Sequence, residues 1–254
     1  MRVLTECPES HVAEWNFSLF GVPVHVKFWF WISVLLLCGE PPPAVLAIWV
    51  TVCFTSILLH ELGHVFAFRM FCVHSEVVLY GWGGMAVPYG QLRGAGPRVI
   101  VSLAGPAAGF VLAGVVLLVA RIIGAQTVLG FHMFLPTIAV APNVRDAANF
   151  SPYTYLALND LLFINFYWGL VNLLPVWPLD GGQATRALFE HSNHWAGRRQ
   201  SLVLSALVAA GVAVWGIFEM NVYLALMFGI LAVSSLQCLE GERSWMPRRS
   251  RSWR

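Results

Sequence analysis

The chain has 254 residues, 58% of them hydrophobic and 11% charged, with a formal net charge of +2 and a mean hydropathy of +0.69. A soluble domain carries about 25% charged residues, so the composition excludes an ordinary water-soluble globule. It points to a polytopic protein whose first partner is the lipid bilayer.

Taken in chain order, residues 1–27 read as a cytosolic N-terminal segment. It holds Glu6, Glu9 and Glu14 and lacks a positive start followed by an apolar core and a small-residue site, so no cleavable signal peptide is expected. Six apolar runs follow: Phe28 to Cys38, Ala44 to Phe71, Pro97 to Ile123, Leu156 to Leu174, Leu202 to Phe218 and Val222 to Leu239. A crossing needs roughly 20 residues at about 1.5 Å each, so the first run recruits part of "VPVHVK" before it or tilts little. The expected fold class is an all-α polytopic membrane protein of about six transmembrane helices in a core spanning 28–239. No internal repeat or appended soluble domain stands out.

Between the second and third runs, "EVVLYGWGGMAVPYG", residues 76–90, is β-branched and aromatic and ends in glycine-rich punctuation. It predicts a small β-strand or hairpin region. Backbone at membrane depth needs cover from protein or a cavity, so the segment reads as a re-entrant or edge strand beside a cavity, with a surface hairpin as the alternative. The outer segment 124–155 is long enough to be a lid or a disordered loop, and both readings stand. The tail 240–254, with "RSWMPRRSRSWR", reads as a topology and membrane-surface signal; no nucleic-acid partner is expected.

With the N-terminus in the cytosol, all 15 Lys and Arg residues except Arg121 and Arg145 fall on cytosolic segments. The positive-inside rule therefore puts both termini in the cytosol. The five cysteines lie in spans or near the cytosolic side and read as apolar packing residues rather than a disulfide framework.

The second run carries "HELGH", residues 60–64. His60 and His64, four apart, share one helix face, and with Glu61 they make the His-Glu-x-x-His arrangement that binds zinc and leaves the glutamate as general base. A carboxylate at bilayer depth costs roughly 2.5 to 3.5 kcal/mol, and a divalent cation is a partner able to offset it. A catalytic zinc wants a third protein ligand and one open position. Asp160 lies at the outer start of the fourth run and Asp180 just beyond its inner end. The histidines sit towards the inner side, so depth selects Asp180. "NLLPVWPLDGG", residues 172–182, has Pro175 and Pro178 to break a helix and a Gly pair to permit close approach. His191 and His194 read as solvated loop, and His25, His74 and His132 have no partner at useful spacing.

His60-Glu61-x-x-His64 in one span and Asn172-x-x-Pro175-x-x-Pro178-Leu179-Asp180-Gly181 in a later one resemble the site-2 protease family of intramembrane zinc metalloproteases, over roughly residues 20–236. The resemblance implies one zinc per chain held by His60, His64 and Asp180, Glu61 activating water, and Asn172 positioning the substrate backbone or its oxyanion. It implies that the strand with Gly83, Gly84 and Met85 receives an unwound substrate segment. "LAGPAAG", residues 103–109, resembles the family's Ala-Gly-Pro-x-x-Asn stretch, with Gly109 in the asparagine's place. The chain resembles minimal members, without a PDZ-like or nucleotide-sensing domain. The expected partner is a transmembrane protein substrate: a membrane-tethered regulator such as a transcription-factor precursor or anti-sigma factor, or a signal-peptide remnant. The expected location is a bacterial cytoplasmic membrane. The rival class is a non-proteolytic zinc-binding membrane protein, either a pseudoenzyme or a metal transporter. A transporter would want a polar path across the whole bilayer, and a pseudoenzyme would ordinarily lack the base.

Overall fold

The computed structural model describes residues 14–39, 41–132, 135–143 and 151–244. Residues 1–13 of the N-terminal segment, Arg145 and the arginines of the tail from Arg248 on lie outside them. The chain forms two units, 1–90 with 113–164, and 91–112 with 165–254.

The first unit begins with strands β1 (Glu14–Leu19) and β2 (Val22–Lys27), then helices α1 (Phe28–Cys38) and α2 (Pro43–Met70), then strands β3 (Ser75–Tyr80) and β4 (Gly83–Pro88). The strands make one sheet in the order β1-β2-β3-β4. Both hairpins are antiparallel, while β2 runs parallel to β3, with Val24 opposite Val77 and Val26 opposite Leu79. The alternating valines explain this sheet: Val22, Val24 and Val26, with Val77 and Leu79, all point to one face. There they are sealed against Phe30 and Val34 of α1 and Leu58, Leu62 and Val65 of α2. The β3–β4 hairpin fulfils the strand expectation for residues 76–90. The β1–β2 hairpin enlarges it, since from Glu14 the N-terminal segment is folded into the same sheet. The unit also contains β5 (Gln126–His132) and β6 (Leu135–Ala141), an antiparallel pair, where the sequence suggested only a lid or loose loop. Asn159 holds β6 in ladder fashion, accepting from the Val140 N–H and donating to its carbonyl, both at 2.8 Å.

Helix α3 (Ala95–Ile122) belongs partly to each unit. So does the run formed by α4 (Pro152–Leu162), a π-helical turn (Phe163–Trp168) and α5 (Gly169–Asn172). The second unit is completed by α6 (Asp180–Ser192), α7 (His194–Phe218) and α8 (Val222–Ser244). The last two pack together around Ala209, Ala213 and Phe228.

Among the described residues four helical stretches are long and apolar enough to cross a membrane: Pro43–Met70, Ala95–Ile122, Ala196–Phe218 and Val222–Gly241. They match four of the six expected runs. Phe28–Cys38 is a helix of only 11 residues. The run Leu156 to Leu174 is divided by the π-helical turn instead of forming one straight helix.

Candidate functional site

In the first unit the candidate residues His60, Glu61 and His64 lie on α2. Its 28 residues start with Pro43 in the first turn, where a missing N–H costs nothing. Arg69 sits in the last turn, where a cation suits the helix dipole. The Arg69 guanidinium also donates to the carbonyls of Phe20 at 3.1 Å and Gly21 at 2.8 Å, tying the β1–β2 turn to this end of the helix. The expected shared face is present: the Nε2 atoms of His60 and His64 are 3.2 Å apart. Two nitrogens bound to one zinc at about 2.0 to 2.1 Å in tetrahedral geometry would lie about 3.3 Å apart, so the pair fits that metal. Glu61 beside them is 5% exposed. Ser56, one turn before His60, is also fully buried.

Strand β4 lies at an edge of the sheet and passes over Glu61. A Cβ at Gly84 would sit 2.5 Å from the Glu61 Cγ and 2.7 Å from its Oε1. Only glycine leaves that carboxylate its place. Its neighbour Gly83 has φ +127°, a region closed to most side chains. Met85 is 48% exposed and Trp82, in the hairpin turn, 74%, so the edge offers both free backbone and apolar surface. On the sheet's other face His25, which the sequence left without a partner, bonds Asn16 at 2.9 Å and faces Glu76 at 3.6 Å.

In the second unit Asn172 ends α5 and Asp180 opens α6, both buried. The break between them is where Pro175 and Pro178 predict it. Gly181 and Gly182 are needed because a Cβ at either would overlap the backbone of Leu173 or Val176, so α6 starts pressed against the preceding turn. A carboxylate in the first turn of a helix is favoured by the helix dipole. Gly109 of α3 also acquires a reason: its Cβ position is 3.2 Å from the Asn165 carbonyl, too close for an asparagine to be accepted freely. Asn165 itself, on the π-helical turn, is buried. Such turns gather at functional sites, but aperiodic backbone leaves no signature in sequence.

Outside the apolar helices Glu190 of α6 accepts from Arg186 Nε and Arg98 Nη1, each at 2.8 Å. Burial opposes ionisation of its carboxyl, and the two guanidinium hydrogen bonds and their charges outweigh it, holding the group below the usual glutamate range.

The model of peptidase family M50 matches residues 48–215. A zinc metalloprotease of Methanocaldococcus jannaschii is 25% identical over 224 residues, covering 83% of this chain; the chain spans 56% of that relative's length. The solved site-2 protease from Methanocaldococcus jannaschii aligns with a TM-score of 0.56 at 21% identity, over 89% of this chain and 95% of that one. At that identity the likeness speaks for the fold.

Proposed function

The chain belongs to peptidase family M50, the site-2 protease family, and on that premise we propose that it is a zinc endopeptidase of membrane-embedded proteins. The observation that carries this reading is the pair of Nε2 atoms 3.2 Å apart with the buried Glu61 beside them, on a helix of membrane-crossing length. The substrate would be a transmembrane protein, cut within or near its transmembrane segment on the cytosolic side.

One zinc per chain would be held by His60, His64 and Asp180, two imidazoles and a carboxylate, a donor set that zinc accepts. When bound, the metal supplies Lewis acidity and lowers the pKa of a coordinated water. Glu61 accepts the water's proton and returns it to the leaving amine. Asn172 offers an amide N–H to the developing oxyanion or the substrate backbone. Substrate must unwind before attack, and the edge strand β4, with Gly83, Gly84 and Met85, would pair with the exposed backbone by strand addition. Gly84 has a second duty here, since the same backbone that would meet the substrate leaves Glu61 its room.

Six crossings, both termini in the cytosol, and the division into an N-terminal segment 1–27, a protease core 28–239 and a basic tail 240–254 belong to this reading, as does a bacterial cytoplasmic membrane. The test compares new protein N-termini and membrane-derived peptides in cells carrying the intact chain with those carrying Glu61→Gln, after zinc binding is matched. Fragments ending inside transmembrane segments only when Glu61 is present support the proposal. No difference, with a known substrate present and zinc bound in both, refutes it.

A further inference from the structure

Asp180 sits at a break in a helix, and such backbone has no regular ladder to fix it. What fixes it lies within the second unit. Val176 is fully buried in the core of α7 and α8. The Trp177 N–H donates to Ser205 Oγ at 2.7 Å, and Ser205 in turn shares a 2.7 Å hydrogen bond with Ser235, whose hydroxyl donates to the Leu231 carbonyl. The Leu179 N–H donates to the Val176 carbonyl at 2.8 Å. The Trp177 ring is met by the Arg186 guanidinium, whose Cζ lies 4.9 Å from the ring centroid. Arg186 is itself clamped, because its Nε donates to one oxygen of Glu190 while Arg98, from the start of α3, donates to the other.

The Glu190 side chain is 3% exposed. A buried carboxylate between two arginines is expensive to desolvate, and apolar residues of similar volume would often stabilise as well or better. Stability alone therefore gives no reason for this triad. Its distinctive product is geometric: with both carboxylate oxygens occupied, the Arg186 guanidinium is held over the Trp177 ring. We infer that Arg98, Glu190 and Arg186 form a positioning network that, through the face of Trp177, sets the turn from which Asp180 reaches its metal. The inference rests on the proposed role of Asp180 and adds the residues that make that role possible. Arg186 and Trp177 are positioning residues in it, since neither is assigned a contact with metal or substrate.

The experiment measures zinc affinity by competition with a chromogenic chelator on the purified full-length chain, alongside thermal unfolding. Arg186→Met and Trp177→Leu are each expected to weaken zinc binding about tenfold, the low end of what outer partners of metal ligands contribute. Their double variant should be no worse than either single one, because both remove the same contact. Arg186→Lys, which keeps the charge for Glu190 but not the flat face, should fall between. Leu202→Ala, a cavity at a fully buried position of α7, is the control: it should unfold at lower temperature with zinc affinity unchanged. Wild-type affinity in Trp177→Leu and Arg186→Lys overturns the inference, and these two decide the matter if Arg186→Met does not fold. Asp180→Asn separates the layers. If it retains zinc like the wild type, the ligand assignment fails; if it loses zinc while the Trp177 and Arg186 variants do not, only the positioning network fails.

Discussion

The two segments that hold the proposed metal ligands are built in opposite ways. On α2 the reactive groups stand on an unbroken helix, so their relation is dictated by 3.6 residues per turn, and His60 and His64 face each other because of their spacing alone. Between Asn172 and Asp180 the helix is interrupted, and the position of the carboxylate depends on contacts made by residues remote in sequence, Ser205 and Arg98 among them. A ligand pair on a regular helix is secured locally; a ligand on a break must be secured by the surrounding structure.

That contrast can be broken at several points. The largest effect is expected at Glu61. Glu61→Gln should lower cleavage by about 10²- to 10⁴-fold, the range of a lost general base, with zinc retained, as read by turnover of a reconstituted substrate. Next, Asp180→Asn should cost about 100-fold in zinc affinity, at the upper end of what even outer partners contribute, while Asp160→Asn on α4 should leave metal content unchanged. Equal losses from both aspartates would erase the distinction between the break and the regular helix. Gly84→Ala should reduce cleavage about 10-fold, a fraction of what misplacing a catalytic group by about 1 Å can cost. The overlap is with the flexible Glu61 side chain rather than backbone, so unfolding temperature and zinc content should hold. The smallest effect concerns pH. Because the folded Glu190 carboxyl lies below its ordinary range, it contributes stability that is present above that range and is lost as pH falls through the lowered value. Acid unfolding of Glu190→Gln should therefore show a shallower loss on the acid side than the wild type, measured by thermal unfolding at stepped pH.

The same contrast governs what could be read without coordinates. The α2 motif was legible because helical periodicity translates spacing directly into shared faces. The break at Pro175 and Pro178 was legible as a break, and Arg186 and Glu190, four apart on one helix, were within reach of the same spacing rule, but Arg98, 92 residues from Glu190, has no local signal. The β3–β4 hairpin declared itself by β-branched residues and glycines. The β1–β2 hairpin carried an equally clear alternation at Val22, Val24 and Val26, obscured because the same residues also read as the apolar lead-in to a helix. The π-helical turn had no pattern to show.

The parallel pairing of β2 with β3 has a consequence for how the chain meets the bilayer. The two strands are joined by α1 and α2, so the chain, having run the length of β2, must come back to the level at which β2 began before β3 can run beside it. At about 1.5 Å per residue the 28 residues of α2 cover about 42 Å. The 11 residues of α1 cover only about 16 Å. The six of β2 add about 20 Å at 3.3 Å each, and strand plus short helix together come close to matching the long one. If α2 crosses the membrane, the outward journey is thus shared between an extended half and a helical half. The first crossing is then a composite, and its strand half brings the rest of the sheet down beside the stretch of α2 that bears Glu61.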